Sequence, residues 1–294
     1  MKIALTGSLG NISRPLSQQL IKHGHDVTII SSSAERVKEI ERLGATAAIG
    51  KVDDINFLST VFRGSDAVYC MIPPNFGHAN QLTYYESQGN NYAAAIRQSE
   101  VKRVIHLSSY GAHLPSGTGL INGSYRCEQI LNSIPKIQLT HIRPTYFYYN
   151  LLAFIHMIKA VGFIGAVYGG EDKLPMVSPA DIAEAIAEEI ETGNNFKAIR
   201  YVSSDERTCS EVAEVLGNAI GIPTLKWIAL PKDQVLKALL ERSMPENVAL
   251  NLVELGEALH TGRLSEHFEQ NKPALAKVKL EDYANEFSEI YHSK

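Results

Sequence analysis

The segment Thr6-Gly7-Ser8-Leu9-Gly10-Asn11-Ile12-Ser13 carries the clearest chemical pattern in this 294-residue chain. Gly7 and Gly10 permit a tight turn and a close backbone approach to a pyrophosphate, whose charge the N-terminus of a following helix would stabilise. The spacing is Gly-x-x-Gly-x-x-Ser, so Ser13 takes the place of the third small residue, the one that packs helix on strand. Such a loop is informative only between a strand and a helix. Residues 2–6 precede it as a β-rich run, and Ile12, Leu16 and Leu20 follow at helical spacing. The loop therefore reads as a dinucleotide-binding turn.

The end of the second strand bears on which dinucleotide is held. A carboxylate there holds the ribose 2′-hydroxyl of NAD. Here the chain runs Ile30-Ser31-Ser32-Ser33-Ala34-Glu35-Arg36, with no carboxylate at positions 31 to 33. A 2′-phosphate would not be repelled, and the three hydroxyls with Arg36 could hold one. This favours NADP(H), with NAD as the alternative; Ser33 as a helix cap and Arg36 as a solvated charge are the competing structural roles. There is no Gly-x-Ser-x-Gly elbow for a hydrolase and no His-Glu-x-x-His for zinc, so no metal is expected. His23 and His25 flank Gly24 at an expected helix end, where imidazoles meet the carbonyl dipole.

These residues must be positioned by an alternating framework. Strand-like runs occur at 26–31, 46–49, 66–71, 103–107 and 138–143, with helical spacing between them, as in Val37-Ile40-Leu43. That rhythm predicts parallel strands with crossover helices, an α/β Rossmann-type doubly wound sheet. Beyond about residue 150 the rhythm changes. A helix is expected over 181–191 with Ile182, Ile186 and Ile190 on one face, then a strand over 198–203. Thr208-Cys209-Ser210-Glu211 reads as a capped helix start. The expected organisation is a nucleotide-binding domain over 1–150 and a smaller, mainly helical lobe over 151–294, interleaved with the first and supplying a substrate or partner surface.

Composition narrows the function classes. The net charge of −4 argues against a nucleic-acid binder acting through bulk charge. Cys70, Cys127 and Cys209 have no metal-finger or redox spacing and fit a reducing compartment. The greasiest stretch, 151–168, is broken by His156, Lys159, Gly162 and Gly165, so a buried helix and turn is expected there, not a membrane span. Met1-Lys2 run directly into a strand, and no leader is expected. A cytoplasmic protein with a small-molecule substrate is the resulting expectation.

At this point the chain resembles the NmrA-like group of atypical short-chain dehydrogenases/reductases. The resemblance runs nearly end to end. It is carried by the Gly7/Gly10 loop, Gly64-Ser65-Asp66-Ala67-Val68, Ile72-Pro73-Pro74 and Val101-Lys102-Arg103-Val104-Ile105-His106-Leu107-Ser108-Ser109. Further on come Ile142-Arg143-Pro144-Thr145-Tyr146-Phe147 with Asn150, the Asp181-Ile182-Ala183 start and Leu280-Glu281-Asp282-Tyr283-Ala284. The resemblance implies a cofactor along the carboxyl ends of the strands, with contacts from Gly7, Ser8, Gly10, Asn11 and Ile12 and further ones from Ser32, Arg36, Ile72, Pro73, Ser108 and Pro144. It also marks departures: Ser32 stands where many relatives have an arginine for the 2′-phosphate. Lys51 stands where a Gly-Asp pair often follows the third strand, with Asp53 implied near the adenine.

Ordinary members of the superfamily activate a tyrosine with a lysine four residues later, because the ammonium lowers the phenol pKa. Tyr125 is followed at that spacing by Gln129. Aligning Glu128 with the family's helix instead puts Leu120 and Ser124 at the two positions. The pair is missing, which disfavours a carbonyl reductase or sugar epimerase. Quinones and other conjugated acceptors delocalise the incoming charge and need no such acid, the cofactor carrying the hydride chemistry. Tyr84, Tyr85, Tyr110, Tyr146, Phe147, Tyr148 and Tyr149 could stack on such an acceptor or form a core seam. Tyr110 and His113, just after the fifth strand, are the candidate proton donors. Two functions follow: an NAD(P)H-dependent oxidoreductase for a small conjugated acceptor, or a non-catalytic NADP(H) sensor that binds a protein partner, a role known in the family.

Overall fold

The computed structural model describes residues 1–293 except Pro74, Phe76, Ala79 and Asn194. Of the Ile72-Pro73-Pro74 segment, Pro74 thus lies outside the described residues. The strands are β1 (Lys2–Leu5), β2 (Asp26–Ser31), β3 (Thr46–Ile49), β4 (Ala67–Cys70), β5 (Arg103–Leu107) and β6 (Gln138–Pro144). They are followed by β7 (Tyr146–Phe147), β8 (Ile164–Ala166), β9 (Lys173–Val177), β10 (Ile199–Val202), β11 (Asp205–Thr208) and β12 (Trp227–Ala229). The helices are α1 (Ser13–Lys22), α2 (Val37–Arg42), α3 (Ile55–Phe62), α4 (Gln81–Ser99), α5 (Ile121–Asn132) and α6 (Ile155–Val161). After them come α7 (Pro179–Glu191), α8 (Cys209–Ala219), α9 (Lys232–Glu241), α10 (Glu246–His260), α11 (Glu266–Gln270) and α12 (Leu280–Ser293).

The chain forms two compact units. The first comprises Met1–Ala112, Gly123–Arg143 and Ile182–Arg200; the second comprises His113–Asn122, Pro144–Asp181 and Tyr201–Lys294. The chain leaves the first unit at the end of β6, and most of α7 with the start of β10 belongs to that unit again. Helices and small sheets share the second unit.

In the first unit the sheet order is β10-β6-β5-β4-β1-β2-β3. The register is parallel from β3 through β6. That order reverses direction between β1 and β4, the switch point at which doubly wound folds bind ligands outside the strand ends. Ala67, Val68, Tyr69 and Cys70 of β4 are all buried, as a strand covered on both faces requires. Asp54 and Asn80 cap α3 and α4 by accepting from Phe57 N and Thr83 N. The buried guanidinium of Arg103 on β5 donates to the Glu189 carbonyl (2.6 Å) and to Thr140 Oγ1 (2.7 Å), pinning α7 to the sheet.

In the second unit β11-β9-β7 form one sheet and β12-β8 another. Thr208 and Glu211 make a reciprocal capping box at the start of α8, as the sequence predicts. Asp181 accepts from Ser204 Oγ (2.6 Å) and from the Val278 amide (3.1 Å), fixing the segment that enters α12. The stretch 151–168 resolves into a 3-10 turn, α6 and β8. Among the described residues no helix is long and apolar enough to cross a membrane. Cys70, Cys127 and Cys209 are free thiols, each buried.

Candidate functional site

The loop after β1 is shaped by Thr6, Gly7 and Ser13. The Thr6 hydroxyl donates to Tyr69 O and accepts from the Met71 amide, joining β1 to β4 at the switch point. Ser13 Oγ donates to Thr6 O at 2.9 Å and holds the start of α1 against the strand. Gly7 has φ +92°, and a β-carbon there would lie 2.6 Å from Ser13 Oγ and 3.0 Å from Met71 Cγ. Ser13 thus takes the packing place expected of the third small residue. Gly10 has ordinary φ, and a β-carbon there would meet only Gly7 O, at 3.1 Å. Its value lies in leaving room outside the loop. Unlike α3, α4 and α8, helix α1 has no side-chain cap at its start. Within its first turn the Arg14 amide donates to Gly10 O (3.0 Å) and Pro15 carries no N–H, while Gly10 and Asn11 just before it are exposed. This cradle fits a pyrophosphate.

At the end of β2 the three serines divide. Ser31 is buried, accepts from Ser8 Oγ (3.0 Å) and the Ser33 amide (3.2 Å), and turns its own proton to Ser33 O. Its hydroxyl is occupied in joining two loops, which leaves Ser32, exposed, and Ser33, half-buried, facing outward. Ser33 makes no side-chain cap to the following turn. Arg36 donates to Glu39 Oε2 (2.7 Å), and Arg14, on the first turn of α1, pairs with the other oxygen of the same carboxylate. The two guanidiniums hold the Glu39 carboxyl below its ordinary range. Arg14 is the residue that sequence reasoning missed; its only signal was a cation in the first turn of a helix, where the dipole disfavours one. Asp53 is exposed beyond β3.

At the other end, Ile72 is buried and Pro73 exposed after β4, and the Tyr84 hydroxyl donates to Pro73 O at 3.0 Å. Ser108 follows β5 directly and donates to Glu128 Oε1 at 2.5 Å. Glu128, on α5, is gripped by Arg143 of β6 through Nε to Oε1 (2.9 Å) and Nη2 to Oε2 (2.6 Å). Two residues back on each strand, His106 and His141 are register partners. Asn132 Oδ1 can only accept, so His141 donates to it from Nε2 (3.1 Å) and accepts at Nδ1 from His106 (3.0 Å). His106 Nε2 then accepts the Cys127 thiol at 3.4 Å. Burial, reinforced by neighbouring positive groups, brings both imidazoles down to about 3, and burial pushes the Cys127 thiol up. Two buried polar networks thus meet α5, one through Glu128 and one through Cys127 and Asn132.

The remaining candidates fall in different places. Tyr110 is buried in the first unit, whereas His113 and Pro144 belong to the second. The His113 ring stacks on His267 at 5.3 Å, and His267 Nδ1 lies 2.8 Å from the Tyr201 hydroxyl. Several of the tyrosines form core packing. Tyr148 is fully buried, donates to Val278 O and stacks on Tyr283 at 5.1 Å, while Tyr146 meets Tyr168 hydroxyl to hydroxyl at 3.3 Å. Burial pushes the Tyr149 phenol up to about 12, unsuited to giving a proton near neutrality. Among the described residues no cluster of three or more His, Cys, Asp or Glu could hold a metal ion.

The model of the NmrA-like family matches residues 1–289. A curated relative from Streptomyces griseus, (4-alkanoyl-5-oxo-2,5-dihydrofuran-3-yl)methyl phosphate reductase, is 26% identical over 261 residues, covering 88% of each chain. Among solved structures, an NADPH-dependent quinone oxidoreductase of Escherichia coli, complexed with NADPH, superposes with TM-score 0.81 at 19% identity, over 97% of this chain and 99% of that one. The negative transcriptional regulator NmrA, in complex with NADP, superposes with TM-score 0.68 at 13% identity, over 97% of this chain and 90% of that one.

Proposed function

The chain belongs to the NmrA-like family, and from that premise we propose that it is an NADP(H)-dependent reductase, cytoplasmic, passing hydride to a small conjugated acceptor such as a quinone. The observation that carries this reading is the cradle at Gly7, Gly10 and the uncapped start of α1, with two guanidiniums beside a second strand that ends in serines. Gly7, Ser8, Gly10, Asn11 and Ile12 hold the pyrophosphate. Ser32, Ser33, Arg36 and Arg14 take the 2′-phosphate, which competes with Glu39 for the two cations. Asp53 is the residue proposed for the adenine, and Ile72, Pro73 and Ser108 of the first unit are those proposed for the nicotinamide. When bound, the nicotinamide ring supplies the hydride.

The absent tyrosine–lysine pair restricts the acceptor. A ketone needs a proton at oxygen as hydride arrives, whereas a quinone spreads the charge over its ring and takes its protons from water or a modest acid. Tyr110 and His113 are the proposed proton donors. The names of the similar reductases support the reductase reading, and NmrA supports a nucleotide-sensing regulator as the alternative. Fluorescence titration with NADPH, followed by a screen of quinones and dyes, separates them. NADPH binding with acceptor reduction supports the enzyme, and binding without reduction of any acceptor supports the sensor.

A further inference from the structure

Ser108 has one proton, and its destination is fixed. It points at Glu128 Oε1 over 2.5 Å, the short contact of a hydroxyl on a carboxylate. Glu128 cannot turn away, because both of its oxygens are engaged by the fork of Arg143. The side chains of that pair are only 3% and 4% exposed, so separating them would strand two buried charges. A carboxylate so held presents acceptors only. The adjacent polar groups on this face, His106, His141, Cys127 and Asn132, are paired in their own chain and offer Ser108 no other place for its proton.

We propose that Ser108 is a fixed hydrogen-bond acceptor at the nicotinamide end of the site, matched to the carboxamide N–H of the cofactor and unable to donate to a substrate carbonyl. The inference rests on the cofactor reading above and deepens it. With its proton given to a carboxylate, the Ser108 oxygen gains electron density, and its remaining lone pairs seek a donor. A ribose hydroxyl can serve either polarity, but an amide nitrogen only donates, so a fixed acceptor selects it. The same polarity withholds from the chain a serine that could stabilise an oxyanion on a ketone. Acceptors that disperse charge without such a donor are the ones this arrangement suits.

The test compares three ligands by equilibrium titration of the full chain: NADP+, its 3-acetylpyridine analogue, and adenosine 2′,5′-bisphosphate. The analogue keeps the carbonyl but replaces the amide nitrogen with a methyl group; the bisphosphate lacks the nicotinamide mononucleotide half. The wild-type chain is expected to bind NADP+ about tenfold more tightly than the analogue. Ser108→Ala, which leaves the Glu128–Arg143 pair in place, removes that preference and leaves bisphosphate binding unchanged, while Ser108→Thr restores the preference. Were Ser108 a donor to the carbonyl, Ser108→Ala would weaken NADP+ and the analogue equally, and that result overturns the proposal. Absence of any preference in the wild-type chain overturns it too, with the cofactor reading intact. If none of the three ligands binds the wild-type chain, the cofactor reading itself falls and takes the proposal with it.

Discussion

Gly7 and Ser13 are packed so closely that a β-carbon on the glycine would sit 2.6 Å from the serine hydroxyl oxygen. That oxygen is tied to Thr6 O, so it cannot retreat without loosening α1 from β1. Gly7→Ala is therefore expected to damage the fold itself. Left-handed backbone costs a non-glycine residue about 1–2 kcal/mol before the clash is counted. Gly10→Leu should behave differently, melting within a few degrees of the wild-type chain while losing both NADPH and NADH, because its side chain would occupy the pyrophosphate approach. Thermal melts paired with cofactor titrations check both; undiminished binding by Gly10→Leu would mean that the loop is misassigned.

Arg14 and Arg36 converge on one carboxylate, and this sets the expected cofactor preference. NADPH should bind more tightly than NADH. Arg36→Ala and Arg14→Ala should each narrow the difference by roughly 3- to 10-fold, a modest range because both side chains are partly exposed. Glu39→Gln removes the competing anion and should tighten NADPH while leaving NADH unchanged. Equal dissociation constants for the two cofactors in the wild-type chain would contradict this assignment.

His106 and His141 make stability depend on pH in a defined direction. Folded, both remain neutral down to about 3, whereas their ordinary value is 6.5. Below 6.5 the unfolded chain binds protons that the folded chain refuses, so stability falls as pH drops from 6.5 toward 3 and is insensitive to these groups above 6.5. The slope is at most about 1.4 kcal/mol per pH unit for each imidazole. The double variant His106→Gln with His141→Gln should melt lower than wild type at pH 7 and lose less between pH 7 and pH 5. Parallel pH profiles for the two proteins would contradict the buried-neutral description.

Asp181 should be a stability residue rather than a site residue. Its carboxylate accepts from Ser204 and Val278, and Asp181→Ala would leave both donors without it. A loss of about 2–3 kcal/mol in chemical denaturation is expected, with cofactor affinity unchanged once folded. Tyr110→Phe and His113→Gln should show the opposite pattern, with slowed turnover and an unchanged NADPH dissociation constant. If neither variant alters kcat, neither residue supplies a proton.

What could be read from the residues alone depended on sequence distance. The loop at Gly7 and Gly10 and the serine end of β2 are local patterns, legible because strand, turn and helix are consecutive. β2, β3 and β5 match their expected bounds because their apolar runs end at polar residues or turns. The site partners were not legible where they meet only after strands pair. Glu128 lies 20 residues from Ser108 and 15 from Arg143, and nothing in those intervals marks them as neighbours. His106 and His141 face each other only because β5 and β6 align in that register. Arg14 escaped notice for the same reason, since Glu39 reaches it from another helix.

We propose hydride transfer from NADPH to a conjugated acceptor without a tyrosine–lysine acid. The most direct measurement follows NADPH consumption by the purified chain across a panel of quinones and dyes, with a simple ketone and an aldehyde as controls. Steady oxidation of NADPH in proportion to quinone reduced is expected, abolished in Gly10→Leu, with no turnover of the ketone or the aldehyde. Tight NADPH binding with no acceptor reduced, or turnover of the ketone in preference to every quinone, would contradict it.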